Sequence, residues 1–483
     1  MSKLSSLTSV KKPVRSISGV IVVAVMTHPY PCPHGRCIYC PGGTNWGTPQ
    51  SYVQESPAVL RARRHNFDPY EQVRARLMQY VAMGHKPSKV ELIVMGGTFP
   101  AMPLDYQEWF ITQCLEAMNR FPSERPKCWV SLEDAQRRNE KSSVRCVGLT
   151  IETRPDWAKA RHIDRFLRLG ATRIELGVQT VYDDILKRVE RGHRVEDTIT
   201  ATQLLKDAGY KVCYHIMPGL PGSDPDKDLE MFKTIFEDQR FRPDMLKIYP
   251  TLVIPGTKLY EMWKRGEYSP YPDDVLVDLI SKMKSMVPEY VRIMRIQRDI
   301  PANYIAAGPR IGNLREVVQR YMRSKGLRCR CIRCREIGHF ILRSSKLISE
   351  EEITVIKRKL IYEASYGTEI FLSLVVKEFD LLIGFLRLRI PSAAAHRREV
   401  NEKTAIVREL HIYGPQIPVG QHSIWWQHKG YGRTLMIWAE ELAQSEFDIK
   451  RMLVISGIGV REYYRKLGYR KFRNSFYMVK SLS

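Results

Sequence analysis

No stretch of this sequence approaches the roughly 18 uncharged apolar residues in a row that a membrane-spanning helix requires. The apolar run Val20 to Met26 is too short, and too far from Met1, to serve with a cleavage site as a secretory signal. Both absences point to a soluble protein of the cytoplasm. Internal repeats and long low-complexity tracts are also missing, so the chain reads as ordinary globular domains. Cysteine is sparse, ten in 483 residues. In a reducing compartment these thiols are not disulfides, and clustered ones are better read as metal ligands. Acidic residues are too few to balance the basic ones, 52 against 76, which leaves a formal charge of +24. A field of that sign favours a polyanionic partner, and nucleic acid is the commonest one.

At this length two domains are expected. From Val20 to about Ile300, short apolar runs alternate with amphipathic helical patterns. The runs are 20–26, 90–95, 146–151, 173–178, 212–217, 245–249 and 291–296, and helices are read at 69–83, 161–169, 195–208, 226–236 and 273–286. This is α/β alternation, and six or seven units fit a partial parallel (β/α) barrel better than eight. In such barrels chemistry sits at the C-terminal ends of the strands. Residues 1–19 are read as a basic leader, 20–307 as the barrel, 308–350 as a Cys-rich linker and 351–483 as a separate α+β domain. In that last domain, residues 351–389 are read as three antiparallel strands and 404–413 as a fourth. A helix at 430–445, a strand at 451–456, a short helix at 460–467 and a last strand near 472–479 follow.

After the first strand comes Cys32-Pro-His-Gly-Arg-Cys37-Ile-Tyr-Cys40, with C-x4-C-x2-C spacing. Three thiolates on one short loop can hold three irons of a 4Fe-4S cluster and leave the fourth open. The motif resembles that of the radical-SAM enzymes, in which the open iron chelates S-adenosyl-L-methionine. A zinc knuckle is the alternative, but it wants a fourth ligand and only His34, inside the loop, is near. Gly96, Gly97 and Thr98 at the second strand end resemble the glycine-rich contact to that cofactor. Glu152 and Gln179, at the mouths of the third and fourth strands, suit ribose and carboxylate contacts, or structural ion pairs. Lys247 could face into the barrel, as a catalytic candidate, or out of it.

Gln427-His428-Lys429-Gly430-Tyr431-Gly432 precedes a helix and fits Q-x-x-G-x-G, resembling the pyrophosphate loop of GNAT acetyltransferases. Backbone amides and the helix N-terminus would face the phosphates of acetyl-CoA, with Arg433 adding an ion pair. Tyr463 and Tyr464 stand where a phenol could protonate the departing thiolate, and one of the two is read as a core aromatic. Glu409 occupies the usual place of a GNAT general base, although a strand glutamate is as often a surface residue.

Cys329, Cys331 and Cys334 have the spacing of a zinc site, and His339 is the local candidate for the fourth ligand. Arg328, Arg330, Arg333 and Arg335 interleave with them and suit phosphate contacts. Cys114, Cys128, Cys146 and Cys213 are isolated and read as buried thiols.

The longer stretches Cys32-Pro-His-Gly-Arg-Cys-Ile-Tyr-Cys-Pro-Gly-Gly, Gly148-Leu-Thr-Ile-Glu-Thr-Arg-Pro-Asp, Glu175-Leu-Gly-Val-Gln-Thr and Ile455-Ser-Gly-Ile-Gly-Val-Arg-Glu-Tyr-Tyr-Arg-Lys-Leu-Gly-Tyr complete the picture. With the glycine loop, they resemble the Elongator catalytic-subunit family of tRNA wobble-uridine carboxymethyltransferases, and more specifically its archaeal single-chain members. The resemblance implies that a radical from S-adenosyl-L-methionine takes hydrogen from the methyl of acetyl-CoA. The carbon radical then adds to C5 of the wobble uridine, and thioester hydrolysis leaves a 5-carboxymethyl group. It implies zinc and a 4Fe-4S cluster as metals and the tRNA anticodon loop as partner, bound in part by Arg61, Arg63 and Arg64, with either a homodimer or Elongator-type partner subunits as the assembly. The leader is shorter than the family's usual basic N-terminal region, as if truncated. Two rival classes remain: a protein lysine acetyltransferase with a structural cluster, and a non-catalytic tRNA-binding scaffold.

Overall fold

The computed structural model describes residues 19–125, 130–344, 353–414, 430–472 and 475–482. Seven strands make one sheet in sequence order: β1 (Val20–Met26), β2 (Lys89–Met95), β3 (Arg145–Thr153), β4 (Arg173–Gln179), β5 (Lys211–Ile216), β6 (Met245–Ile248) and β7 (Arg292–Arg295). Every neighbouring pair is parallel, with Val20 opposite Lys89, Thr150 opposite Arg173 and Met245 opposite Arg292. Helices form the crossovers, which right-handed βαβ connection requires. Their starts carry local signals: Asp68, Ser131 and Asp224 each accept an amide of the first turn, and Pro69 and Pro225 occupy the first turn.

Alternation along β1 sets its two faces. Ile21, Val23 and Val25 are buried, whereas Val22 and Ala24 line the central cavity. Among the described residues β1 and β7 do not pair with each other, so the sheet is a half-barrel with an accessible interior. No helix of the described residues is long and apolar enough to cross a membrane.

A second sheet of seven strands follows: β8 (Val355–Ala364), β9 (Gly367–Val376), β10 (Leu381–Ile390), β11 (Thr404–Ile412), β12 (Arg451–Val454), β13 (Arg470–Lys471) and β14 (Met478–Ser481), in the order β13-β14-β12-β11-β10-β9-β8. Only β11 and β12 are parallel, and the helix Tyr431–Phe447 buries Leu435, Met436, Ala439 and Leu442 on its way between them. The end of the chain departs from expectation. In place of one strand near 472–479 there is a hairpin, because Tyr477 is anchored by its hydroxyl to the Ala208 carbonyl and ordered pairing resumes only at Met478.

The region read as a linker is also more structured than its composition suggests. The helix Leu314–Ser324 packs on the barrel helix Asp273–Ser285, with Tyr321 donating to Asp278 at 2.9 Å. The Ile332 amide donates to the Val291 carbonyl at the entry to β7. Residues 314–324 thus pack with the barrel, while 332–336 touch both units, since Arg335 pairs with Asp380 and Glu336 bridges to Leu382 of the second sheet.

The two sheets meet across a buried ionic layer. Asp207 and Asp244, with Lys206, come from the barrel side, and Glu369, Arg387, Arg389 and Arg408 from the second sheet, and all seven are nearly inaccessible. Arg408 donates to Asp244 at 2.9 Å and to Glu369, while Arg389 reaches Asp207, Glu369 and the Ala364 carbonyl. The glycines of Ile455-Ser-Gly-Ile-Gly serve this packing. A Cβ at Gly457 would stand 2.1 Å from the Val147 carbonyl oxygen, so backbone lies directly on backbone at the start of β3.

Candidate active site

The loop after β1 brings Cys32, Cys37 and Cys40 to the wall of one cavity of about 380 Å³ at the C-terminal end of the half-barrel. Their sulfur atoms have only weak neighbours: Thr98 Oγ1 at 3.5 Å from Cys32, His34 Nε2 at 3.2 Å from Cys37, and Gln50 Oε1 and Ser51 Oγ at 3.3 Å from Cys40. Gly96 and Gly97 both have positive φ, 143° and 88°. A Cβ on Gly96 would strike Thr27 Oγ1 at 1.9 Å, and one on Gly97 would lie 3.6 Å from Cys32 Sγ, so the strand end hugs the cysteine loop.

Two buried guanidiniums flank these thiols. Arg191 lies 3.7 Å from Cys37 Sγ and donates twice to the Gly177 carbonyl, an approach that any side chain at Gly177 would block. Arg154 grips Asp156 with two hydrogen bonds and donates to the Arg191 carbonyl at 2.7 Å. Burial, with Arg154 and Arg191 adding to it, pushes the His34 imidazole down to about 3. His34 is therefore neutral, and the fixed positive charge beside the thiols belongs to arginine. That donor set, three thiols with compensating cations over an open cavity, fits a cluster held by three cysteines.

Gln179 ends β4 with φ of 71°, a strained backbone for a side chain of its kind, and its Oε1 is buried without a partner. Such strain concentrates at ligand sites. Lower in the cavity, Glu152 accepts from Tyr52 at 3.0 Å and from Lys247 at 3.2 Å. Lys247 is also paired with Glu175, which accepts from His215 at 2.8 Å, so Lys247 faces inward. Burial opposes its charge, yet Glu175, Tyr249 and Glu152 overcome this and hold its pKa well above the ordinary value. It is a permanent ammonium at the cavity wall.

In the second domain, Gly430 (φ 80°) caps the helix Tyr431–Phe447, whose first turn holds Gly432 and Arg433. Gln427, His428 and Lys429 lie outside the described residues. A Cβ on Gly432 would come within 2.7 Å of the Tyr463 hydroxyl, so this phenol sits directly at the glycine turn. Tyr464 is buried, its ring edge-on to Tyr463 at 5.3 Å. Tyr464 is thus a core aromatic, and Tyr463 is the one of the two that meets the glycine turn. Burial raises the Tyr463 pKa, which keeps its proton available.

Glu409 is neither a surface residue nor placed as a free base. Its carboxylate accepts from Arg387 at 2.9 Å, and although burial raises its pKa, Arg387 and Lys211 outweigh burial and leave it depressed. A carboxylate so held is a poor proton acceptor.

Cys329, Cys331 and Cys334 gather their sulfurs within 4.8 Å of one another, as a metal site requires, and no fourth ligand joins them among the described residues. His339 is placed differently from its expected ligand role: Nε2 pairs with Glu336 at 2.6 Å, and Glu336 in turn accepts from Arg292 at 2.6 Å. Arg335 is buried and paired with Asp380, so of the four interleaved arginines it is turned away from phosphate. Cys114, Cys146 and Cys213 are buried thiols, and Cys128 lies outside the described residues.

Sequence reasoning missed Arg191, Tyr52 and His215. Arg191 follows the helix Asp183–Arg188 instead of ending a strand, and no spacing rule marks it; Gly177, an unusual glycine within a fully buried strand, was the one available signal.

Residues 27–235 match the Radical SAM superfamily and residues 243–324 the Radical SAM C-terminal domain. The chain is 55% identical over 98% of its length to a tRNA uridine(34) acetyltransferase of Methanocaldococcus infernus, covering 87% of that protein. It is 50% identical to a protein of the same name from Dehalococcoides mccartyi, over 98% of this chain and all of that one. It is 44% identical to Elongator complex protein 3 of Drosophila melanogaster, over 98% of this chain and 85% of that one. The solved structure of the archaeal Methanocaldococcus infernus Elp3 with an N-terminal deletion superposes with a TM-score of 0.83 at 51% identity, covering 96% of this chain and all of that one. With a radical-SAM half-barrel and a second mixed sheet joined as in those proteins, the chain belongs to the family of tRNA uridine(34) acetyltransferases and Elongator complex protein 3.

Proposed function

We propose that the protein modifies the wobble uridine of transfer RNA, building a 5-carboxymethyl group from the acetyl group of acetyl-CoA. The observation that carries this reading is one cavity lined at once by Cys32, Cys37 and Cys40 and by the Glu152–Lys247 pair, with buried Glu175 holding Lys247 from behind, on a barrel fused to a domain in which Tyr463 meets Gly432. When bound, a 4Fe-4S cluster and S-adenosyl-L-methionine would supply the radical that takes hydrogen from the acetyl methyl.

The chain's own residues hold and orient. Cys32, Cys37 and Cys40 would ligate the cluster, with Arg191 offsetting its charge. Gly96, Gly97, Thr98, Glu152 and Gln179 would receive S-adenosyl-L-methionine. Lys247, always protonated, would present Nζ–H to a carbonyl in the cavity and fix its orientation. Gln427 to Arg433 would receive the pyrophosphate of acetyl-CoA, and Tyr463 would give its Oη proton to the departing thiolate. Cys329, Cys331 and Cys334 would hold zinc and brace the barrel against the second sheet. The reading places the enzyme in the cytoplasm, acting on the anticodon loop, as a homodimer or with Elongator-type subunits. A lysine acetyltransferase would need a free base near the thioester, and Glu409 is occupied by Arg387.

The test is anaerobic reconstitution with iron and sulfide, incubation with both cofactors and tRNA, and analysis of the tRNA nucleosides by mass. Carboxymethyluridine at the wobble position supports the reading; acetylated protein with unaltered tRNA overturns it. In the same assay Tyr463→Phe is expected to slow thiol release from acetyl-CoA by about 100-fold or more, the typical value of a positioned general acid. Tyr464→Phe should leave it nearly unchanged.

A further inference from the structure

We infer that a second pocket, beside the barrel mouth, stacks an unpaired nucleobase of the RNA next to the target nucleotide; the inference rests on the tRNA reading above. The pocket, of about 520 Å³, is walled by His28, His65, Phe67, Tyr106, Trp109 and Arg125, and its two carboxylates, Asp68 and Glu71, are paired with Arg125 and Arg74. It is separate from the cysteine cavity and none of its residues serves the chemistry proposed there.

Its walls are aromatic, rigid and partly exposed. Phe67 is held at φ 57° and Asn66 at φ 49°, two successive left-handed residues without glycine in the turn between the helices Pro57–Arg64 and Pro69–Ala82. That strain is retained where it presents the Phe67 ring beside His28, edge-on at 5.9 Å. Opposite, Trp109 is 38% exposed and backed by Tyr106 at 5.5 Å, whose hydroxyl accepts from the His28 amide at 3.0 Å. A large indole left open to water against a fixed phenol is a stacking platform, and bases stack on such platforms irrespective of sequence.

Position and charge favour RNA over a protein segment. The helix Pro57–Arg64 leads from one chamber to the other: Pro57, Ala58 and Arg61 face the cysteine cavity, and His65, just past its end, lines the pocket. Four residues of helix advance about 6 Å, the reach of an adjoining nucleotide. Arg63 and Arg64 are both exposed in the last turn of the same helix, where they are free to meet the connecting phosphates. Arg125 is spent on Asp68 and on the Tyr70 ring, so it shapes the pocket and leaves phosphate contact to the others.

The test uses an anticodon stem-loop RNA with 2-aminopurine beside the target uridine, titrated into the full chain without cofactors. Stacking quenches the probe, and Trp109→Ala is expected to abolish that quenching and weaken binding roughly 5- to 150-fold. Trp109→Phe, which keeps a ring, should restore both, and its circular dichroism controls for folding. Equal affinity and equal quenching in wild type and Trp109→Ala overturn the pocket, including the case where a protein segment occupies it instead. Failure of the wild-type chain to bind the RNA at all would sink the tRNA reading itself, a distinct result.

Discussion

Asp244→Ala is expected to cost about 3–5 kcal/mol of stability, the usual price of stripping one partner from a buried ion pair. Asp244 stands at the entry to β6 with no solvent exposure. One carboxylate serves the Val212 amide at 2.9 Å, Arg408 at 2.9 Å, Lys206 at 3.5 Å and Arg387 at 3.6 Å. Without it three cations remain buried with too little opposing charge, and the second sheet loses one of its buried ties to the barrel. Urea denaturation should show a lower midpoint; an unchanged midpoint would mean that the interface does not depend on this layer.

The same layer fixes the response to acid. Burial opposes ionisation of Asp244, but Arg408, Lys206 and Arg387 overcome it and hold its carboxyl far below the usual carboxylate range. Glu369 is likewise depressed, chiefly by Arg408 and Lys206 against burial, and Glu336 falls to about 2 beside Arg292. Folded values below unfolded ones mean that the unfolded chain binds more protons in acid. Their contribution is therefore complete above roughly pH 5 and is lost as pH falls from there through the folded values. Stability measured at pH 7 and at pH 4 should differ in that direction in the wild type, and by less in Asp244→Ala.

Cys37→Ser is expected to abolish cleavage of S-adenosyl-L-methionine, because a serine hydroxyl does not replace a thiolate on iron. Cys37 is the thiol nearest both Arg191 and His34, at 3.7 and 3.2 Å. The variant should reconstitute with less iron, lack the cluster's visible absorption, and release no 5′-deoxyadenosine above background, while the zinc proposed at Cys329, Cys331 and Cys334 should be unaffected. A full cluster spectrum in Cys37→Ser would show that the loop does not hold the metal as described.

Much of this architecture is legible in residue order. Strands β1 to β7 follow apolar runs bounded by helical patterns, since their outer face is buried under helices and their inner face lines the barrel. The cysteine loop and the glycine turn at Gly430 are local in sequence, so spacing alone reveals them. What was hidden depends on contacts between distant segments. Arg191 reaches the cysteine loop only because β4 carries Gly177. Glu409 reads as a base until Arg387, 22 residues away on β10, is seen to hold it. His339 reads as a ligand until Glu336, held in place by Arg292 from 44 residues away, is seen to pair with it. The hairpin at the chain end is set by Tyr477 docking on Ala208, which no local periodicity reports. Trp109 and Phe67 belong to different helical units, and their pocket exists only in three dimensions.

The most direct measurement follows hydrogen from acetyl-CoA labelled with deuterium in its methyl group. With reconstituted protein, S-adenosyl-L-methionine and tRNA, deuterium is expected to appear in the released 5′-deoxyadenosine, because in the proposed reaction the cavity of Cys32, Cys37 and Cys40 would act on the acetyl group delivered from the Tyr463 site. Unlabelled 5′-deoxyadenosine alongside an intact acetyl methyl would show that the two sites work on different substrates, and would contradict the account.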